Sequence, residues 1–286
     1  MEIAVLTANS QLGRALVPEL ERIPGWRVRP LLRRDLDITD VTPIARLFES
    51  PPAVLINTAF WATEDPEPAL RVNALGPRLL AERCAAAGTL LVQVSTDYVF
   101  DGEADRPYRE TDPTAPRSVY GISKLAGEHL VRAAAPDHLI VRVSGLYGPG
   151  GSRAKGGTNF VSDMIGMARA GKAIRVVTDQ LHSPTYAPDA ATTIRQLISA
   201  GVRGTVHVSN TGACSKYDFA ARSFELAGLA PDLHAITLAD LPPLPPRPRY
   251  TVLAHDALHA AGLPSPRPWQ DALADYVRWL GENGET

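Results

Sequence analysis

The stretch EIAVLTANSQLGRAL, residues 2–16, holds an unbroken apolar run after Glu2, a short polar turn, and then apolar residues at helical spacing. An unbroken run of this length fits a strand buried on both faces, because a sheet with one wet face alternates apolar and polar residues. The same texture returns in AVLIN (53–57), TLLVQV (89–94) and HLIVRV (138–143). Between these runs lie segments of helical period at 11–23, 68–88 and 118–135. Regular alternation of strand and helix implies right-handed crossovers, so the expected fold class is α/β with a doubly wound parallel sheet.

After Tyr147 the rhythm changes. GPGGSRAKGGTN (148–159) reads as a mobile surface loop, followed by a helix at 159–171, a strand AIRVV (173–177) and a turn-rich TDQLHSPTYAPD (178–189). A helix from Asp189, a strand TVHVSN (205–210) and two further helical stretches complete the chain. The expected organisation is a Rossmann-type dinucleotide-binding domain over 1–148, rejoined by 179–204. A smaller C-terminal substrate-binding lobe is expected from 149–178 and 205–286. LPPLPPRPRY (241–250) is either an extended connection within that lobe or a polyproline ligand for a partner domain.

The 286 residues carry a formal net charge of −2, which gives no broad basic face. Nucleic acid and anionic membrane surfaces are therefore not expected partners. Cys84 and Cys214 stand far apart in no metal-ligand spacing, so no metal is expected and both read as free thiols of a reducing compartment. The opening residues lack a basic segment followed by an apolar run, and no apolar stretch is long enough to span a bilayer. The expected location is the cytoplasm, and the expected assembly state leaves room for a homodimer.

The chemistry concentrates in VSTDYVFDG (94–102) and YGISK (120–124). Tyr120 and Lys124, four apart on a helix, share one face. Thr96 ends a central strand at the carboxyl edge, where open parallel sheets place their ligands. In that setting Tyr120 donates a proton to a carbonyl oxygen as hydride reaches its carbon, and Thr96 hydrogen-bonds the same oxygen. A phenol titrates near ~10 when unperturbed, and a cation one helical turn away favours its phenolate. Lys124 is the expected source of that shift and also a holder of the cofactor ribose.

With these motifs in place, the chain resembles an extended short-chain dehydrogenase/reductase, and within that group the dTDP-4-dehydrorhamnose reductase family. The likeness runs through SQLGRAL, DLDITD, LINTA, VNALG, STDYVFDG, YGISKLAGE, VRVSGLYG, NFV, VVTDQLHSPTYAPD and the closing RPRYTVL. It implies reduction of the C4 ketone of a nucleotide-linked deoxysugar by a nicotinamide cofactor, with Thr96, Tyr120 and Lys124 as the catalytic trio. Related dehydratases carry an Asp-Glu pair after the threonine, whereas here Thr96 is followed by Asp97 and Tyr98. A sugar-nucleotide epimerase and a non-catalytic, reductase-like binding or regulatory subunit are the alternative readings.

Set against the family's Gly-x-x-Gly-x-x-Gly turn, Thr7 and Ser10 replace the first two glycines and Gly13 remains. A β-branched residue is poorly suited to positive φ. The Ser10 hydroxyl stands where a pyrophosphate approaches, beside the amides of Gln11 and Leu12 at a helix N-terminus. Arg33 and Arg34 follow the second strand, where a basic residue favours a 2′-phosphate, hence NADPH with NADH as the second possibility. Both also fit as solvated loop arginines.

The resemblance implies Asp37 and Ile38 on the adenine side, and Asn57 and Ala59 beside the pyrophosphate and nicotinamide ribose. For the nucleotide-sugar substrate it implies Gln180, Ser183 and Thr185, with His182 in place of the usual glycine. Asn159 at a helix start and Arg247 are candidates for the diphosphate. Trp61, in a segment unlike the family's, reads either as a new wall for the sugar or as an ordinary aromatic.

Overall fold

The computed structural model describes residues 1–151, 156–242 and 246–284. The glycine-rich loop expected at 148–159 and the proline-rich connection at 241–250 each lie partly outside the described residues. The first half contains β1 (Glu2–Leu6), α1 (Gln11–Glu21), β2 (Arg27–Leu31), α2 (Val41–Leu47), β3 (Val54–Asn57), α3 (Pro66–Leu70), α4 (Gly76–Ala87), β4 (Leu90–Thr96), α5 (Val119–Ala134) and β5 (His138–Val143). There follow β6 (Leu146–Tyr147), α6 (Phe160–Arg169), β7 (Ile174–Val177), β8 (Leu181–His182), β9 (Thr185–Tyr186), α7 (Ala187–Ser199) and β10 (Gly204–His207). The chain continues through β11 (Cys214–Ser215), α8 (Lys216–Leu226), β12 (Leu233–Ile236), β13 (Tyr250–Thr251), α9 (Asp256–Ala260) and α10 (Trp269–Asn283).

Six strands form one parallel sheet in the order β10-β5-β4-β3-β1-β2. Successive residues point to opposite faces, so each strand feeds two cores. Ile3, Val5, Ile56, Val92 and Val141 pack with Leu16 of α1 and Ile194 of α7. Ala4, Leu6, Leu55, Leu91 and Ile140 pack on the other side with Leu80 of α4 and Val131 of α5. Burial on both faces is why these strands read as unbroken apolar runs.

The strand order reverses between β1 and β3, and the crevice at such a reversal is where doubly wound sheets bind ligands. The turn after β1 meets the loop after β3 there. Ser10 Oγ lies 3.0 Å from Thr58 Oγ1 across it.

A second cluster, built on α6, α8 and α10, packs Tyr147, Phe219, Trp269 and Tyr276 over the carboxyl edge. Short pairings tie it together: β7 with β12, β6 with β9, and β8 between β11 and β13. The expected boundary at 204/205 cuts through β10, whose Gly204–His207 pairs with β5. Leu258 of α9 is also part of the core beneath α1 and α7. These pieces complete the sheet's outer flank, so segments placed in the lobe from their irregular sequence rhythm belong with the sheet. Among the described residues no helix is long and apolar enough to cross a membrane, and no cluster of acidic, histidine or cysteine side chains could hold a metal ion.

Candidate active site

At the turn after β1, Ser10 caps α1. Its Oγ accepts from the Gly13 amide at 3.0 Å, and its own amide donates to the Thr7 carbonyl at 2.7 Å. A Cβ on Gly13 would lie 2.6 Å from that carbonyl, so only glycine lets the helix seat on the turn. Thr58 donates its single hydroxyl proton to the Leu6 carbonyl at 2.8 Å, which makes Ser10 the donor in the contact between the two hydroxyls. Both hydrogen-bonding directions of Ser10 are thereby taken. Expected as a phosphate donor, its hydroxyl is a helix cap.

Thr7 adopts φ +52°, alone among described non-glycine residues with positive φ. Left-handed backbone costs an L-residue about 1–2 kcal/mol. Thr7→Gly is therefore expected to raise stability by about 1 kcal/mol in denaturant unfolding, glycine's greater unfolded-state freedom offsetting part of the relief. Lost stability would show that the threonine side chain holds the turn.

The side chains of several other cofactor candidates are engaged elsewhere. Gln11 Nε2 donates to the Gly148 carbonyl at 2.9 Å, and the Leu12 and Ile38 side chains are buried in the cores. Asn57 is fully buried, donating to Gln93 at 2.8 Å and accepting from the Ala59 amide at 3.1 Å. It therefore shapes the loop after β3 rather than reaching into the crevice. Asp37 ion-pairs with Arg33 at 3.2 Å and accepts from Thr39, and these bonds outweigh the cost of burial and lower its pKa. Arg33 is exposed, and Arg34 reaches only Asp35.

The loop after Ala59 presents two exposed aromatics. Phe60 stands edge-on to Tyr120, with ring centres 6.4 Å apart. Trp61 lies under the Arg33 guanidinium, 5.8 Å from its ring centre, which places it toward β2. Asn73 pins that loop, accepting from the Trp61 amide and donating to the Trp61 carbonyl, both at 2.8 Å. It also donates to Ser123 of α5 at 2.9 Å. Asn73 sits in a one-turn π-helix (Arg71–Leu75) joining α3 to α4. Inserted π-turns often mark functional positions.

Thr96 and Tyr120 come together as expected. β4 ends at Thr96, and α5, capped by Ser118, brings Tyr120 back close enough for the Thr96 hydroxyl to act on its phenol. The Thr96 hydroxyl donates to Asp97 Oδ1 at 3.0 Å, and Ser144 donates to Asp97 Oδ2 at 2.6 Å. Burial raises the Tyr120 pKa, with Asp97 and Tyr98 adding to the rise and the Thr96 hydrogen bond opposing it. Lys124 is buried, donates to the Val94 carbonyl at 2.6 Å, and is lowered to about 8 by burial against the opposing charge of Glu128. The expected downward pull of Lys124 on the phenol is thus not what sets the Tyr120 pKa. Burial dominates both groups.

On the lobe side the candidates separate. Asn159 is the N-cap of α6 with every side-chain bond filled, accepting from Val161 and Ser162 and donating to Gly148 and Tyr276. Ser183 accepts from the Leu253 amide, and Thr185 bridges the Ser144 amide and carbonyl. All three are buried, and Asn159 and Thr185 have their donors taken up as structural ties. Gln180 Nε2 donates to the Pro248 carbonyl at 3.2 Å, and Gln180 and exposed Arg247 both act on the Tyr98 phenol, whose ring centre lies 6.0 Å from that of Tyr120.

The family model described as the RmlD substrate binding domain matches residues 1–281. The chain belongs to this family. The dTDP-4-dehydrorhamnose reductase of Streptomyces griseus is 41% identical over 284 residues, covering 95% of this chain and 91% of that protein. The crystal structure of a dTDP-4-dehydrorhamnose reductase from Clostridium acetobutylicum superposes with a TM-score of 0.92 at 37% identity, covering 98% of this chain and 100% of that one. The Bacillus anthracis dTDP-4-dehydrorhamnose reductase in complex with NADP gives a TM-score of 0.90 at 32% identity, covering 97% and 99%.

For a member of the RmlD family, the residues that the sequence did not bring forward are Phe60 and Lys216. Phe60 gave no signal because an exposed aromatic in a loop has no periodicity. Lys216 follows a strand of two residues and reads as an ordinary helix start. In space it lies 3.4 Å from His182, the residue standing where the family usually has glycine.

Proposed function

We propose that the protein reduces the C4 ketone of a dTDP-linked 4-keto-6-deoxysugar with NADPH. The observation that carries this reading is the Thr96–Tyr120 hydroxyl pair beside the strand-order reversal, in a chain that resembles ketoreductases from end to end. The turn after β1 fits a dinucleotide, because Gly13 lets α1 seat on the turn and the α1 N-terminus favours anionic charge. Arg33 stands past β2 with its guanidinium exposed, suited to a 2′-phosphate. When bound, the reduced nicotinamide supplies the hydride.

The chain's own residues then handle the carbonyl oxygen. Tyr120, kept neutral by burial, donates its phenolic proton to that oxygen. Thr96 turns its hydroxyl from Asp97 to the same oxygen and fixes its position. Lys124, four residues on along the same helix face, anchors the ribose. Phe60, edge-on to Tyr120, screens the phenol from water. Tyr98 occupies the place of a second carboxylate, and burial pushes its pKa up to about 12, so the site lacks the acid–base pair of a dehydratase.

The test is NADPH consumption on mixing the protein with a dTDP-4-keto-6-deoxyhexose, with the reduced sugar identified as product. NADPH is expected to bind at least about tenfold more tightly than NADH, the worth of one charge-assisted contact. Arg33→Ala is expected to erase that margin. No NADPH consumption by protein that binds both cofactor and nucleotide sugar would overturn the reading.

A further inference from the structure

Lys216, half-buried at the first position of α8, is held on several sides. Its ammonium lies 3.4 Å from His182 Nδ1 and 5.5 Å from the centre of the Phe160 ring, and it interacts electrostatically with Asp97. Its amide donates to the Gln180 carbonyl at 3.1 Å. His182 is buried, and burial together with the Lys216 charge lowers its pKa well below the usual value. The imidazole is therefore neutral. Because an ammonium only donates, Nδ1 accepts and the ring proton sits on Nε2.

Gly145 makes room for this pair. At φ +51° it carries no side chain, and a Cβ there would stand 2.5 Å from His182 Nδ1 and 3.7 Å from the Lys216 ammonium. Ser144, its neighbour, donates to Asp97, which accepts from Thr96, the hydroxyl that acts on Tyr120. The ammonium is thus joined through Asp97 to the groups that hold the reacting oxygen, and it approaches them from the lobe.

We propose that Lys216 is a specificity-determining residue whose ammonium donates to an oxygen substituent on the sugar carbon next to the reacting ketone, with His182 as the residue that positions it. This rests on the ketoreductase reading above. A diphosphate is a poor occupant of the same place, since its charges would face the carboxyl of Asp97, whereas a hydroxyl carries no charge to be repelled. Arg247, acting on Tyr98, is the cation left for the phosphates. A substrate deoxygenated at that carbon forgoes this hydrogen bond, and sites built to bond a substrate hydroxyl reject the analogue that lacks it.

The experiment uses the full chain saturated with NADP and compares two ligands, dTDP and a dTDP-6-deoxyhexose of the product class. Lys216→Met is expected to weaken the nucleotide sugar at least about tenfold while leaving dTDP within about twofold, and to raise KM for the keto sugar more than it lowers kcat. His182→Leu is expected to reproduce that shift. His182→Gln, which keeps an acceptor, is expected to restore most of it, and the His182→Leu/Lys216→Met pair is expected to be no worse than either alone.

NADP binding within about twofold of wild type reports an intact fold in each variant. Equal weakening of dTDP and the nucleotide sugar would place Lys216 on the diphosphate and overturn the assignment, as would no change in either. Additive effects of the two substitutions would remove His182 from its role. Failure of the ketoreductase reading shows instead as absent turnover by wild type, and the ratio of the two dissociation constants reads Lys216 independently of turnover.

Discussion

Tyr120→Phe is expected to lower kcat by about a hundredfold to ten-thousandfold, the usual worth of a positioned general acid. The substitution removes one oxygen and keeps the ring. The edge-on contacts with Phe60 at 6.4 Å and Tyr98 at 6.0 Å therefore survive, and Thr96 keeps its bond to Asp97. NADPH affinity should stay within about threefold, since the turn after β1 and Arg33 are untouched. The measurement is single-turnover NADPH oxidation beside a calorimetric titration of the same preparation. The loss should persist across the neutral range, because burial holds the wild-type phenol in its protonated form there. Turnover near the wild-type rate would remove Tyr120 from proton transfer and leave Thr96 or solvent as the source of the proton.

What the chain made legible follows from where its information is dense. Strands buried on both faces leave no freedom in residue type, so β1, β3, β4 and β5 stand out as apolar runs. β2, RVRPL, lies at the sheet edge, is largely exposed and carries Pro30, so nothing in its composition forces a strand. β10, legible as a strand, and α9 were assigned to the lobe for a different reason. Their contacts with β5 and the α1–α7 face are distant in sequence, and short elements without periodicity carry no sign of a remote partner.

The site divides in the same way. Thr96 and Tyr120 were readable because their spacing and strand-end setting are specific to one chemistry. Ser10, Asn159 and Thr185 belong to residue types that serve equally as ligands and as caps of local backbone, and only the filled hydrogen bonds decide between the two. The Lys216–His182 pair joins positions 34 apart and needs the empty space at Gly145, which no linear pattern records.

Glu128 gives the largest expected effect on stability. It lies on the face of α5 that carries Tyr120 and Lys124, fully buried, and is gripped by Arg142 at 2.9 and 2.7 Å, Arg132 at 2.8 Å and Ser95 at 2.5 Å. Ser95 and Arg142 belong to β4 and β5, so this carboxylate pins the catalytic helix to the central strands. Gly127 beside it allows close approach, since a Cβ there would lie 2.1 Å from the Asn73 carbonyl. Removing one partner of a buried pair leaves the other charge desolvated, and Glu128→Gln is expected to cost about 3–5 kcal/mol in denaturant unfolding. Replacing Glu128 and Arg142 together by leucine should recover much of that loss, because the penalty comes from the stranded guanidinium more than from the missing attraction.

The pH dependence has a definite sign. Burial alone would raise the Glu128 pKa, yet the bonds from Arg142 and Ser95 and the charge of Arg132 hold it below its ordinary 4.5. Its contribution is thus complete above that value and is lost as pH falls through the lower folded pKa. The wild type should therefore lose stability on acidification below about pH 4.5 more steeply than Glu128→Gln, the two curves converging toward low pH. Curves that stay parallel would show that Glu128 is not the carboxylate that titrates, and a cost under about 1 kcal/mol would show that solvent reaches Arg142 when its partner is neutral.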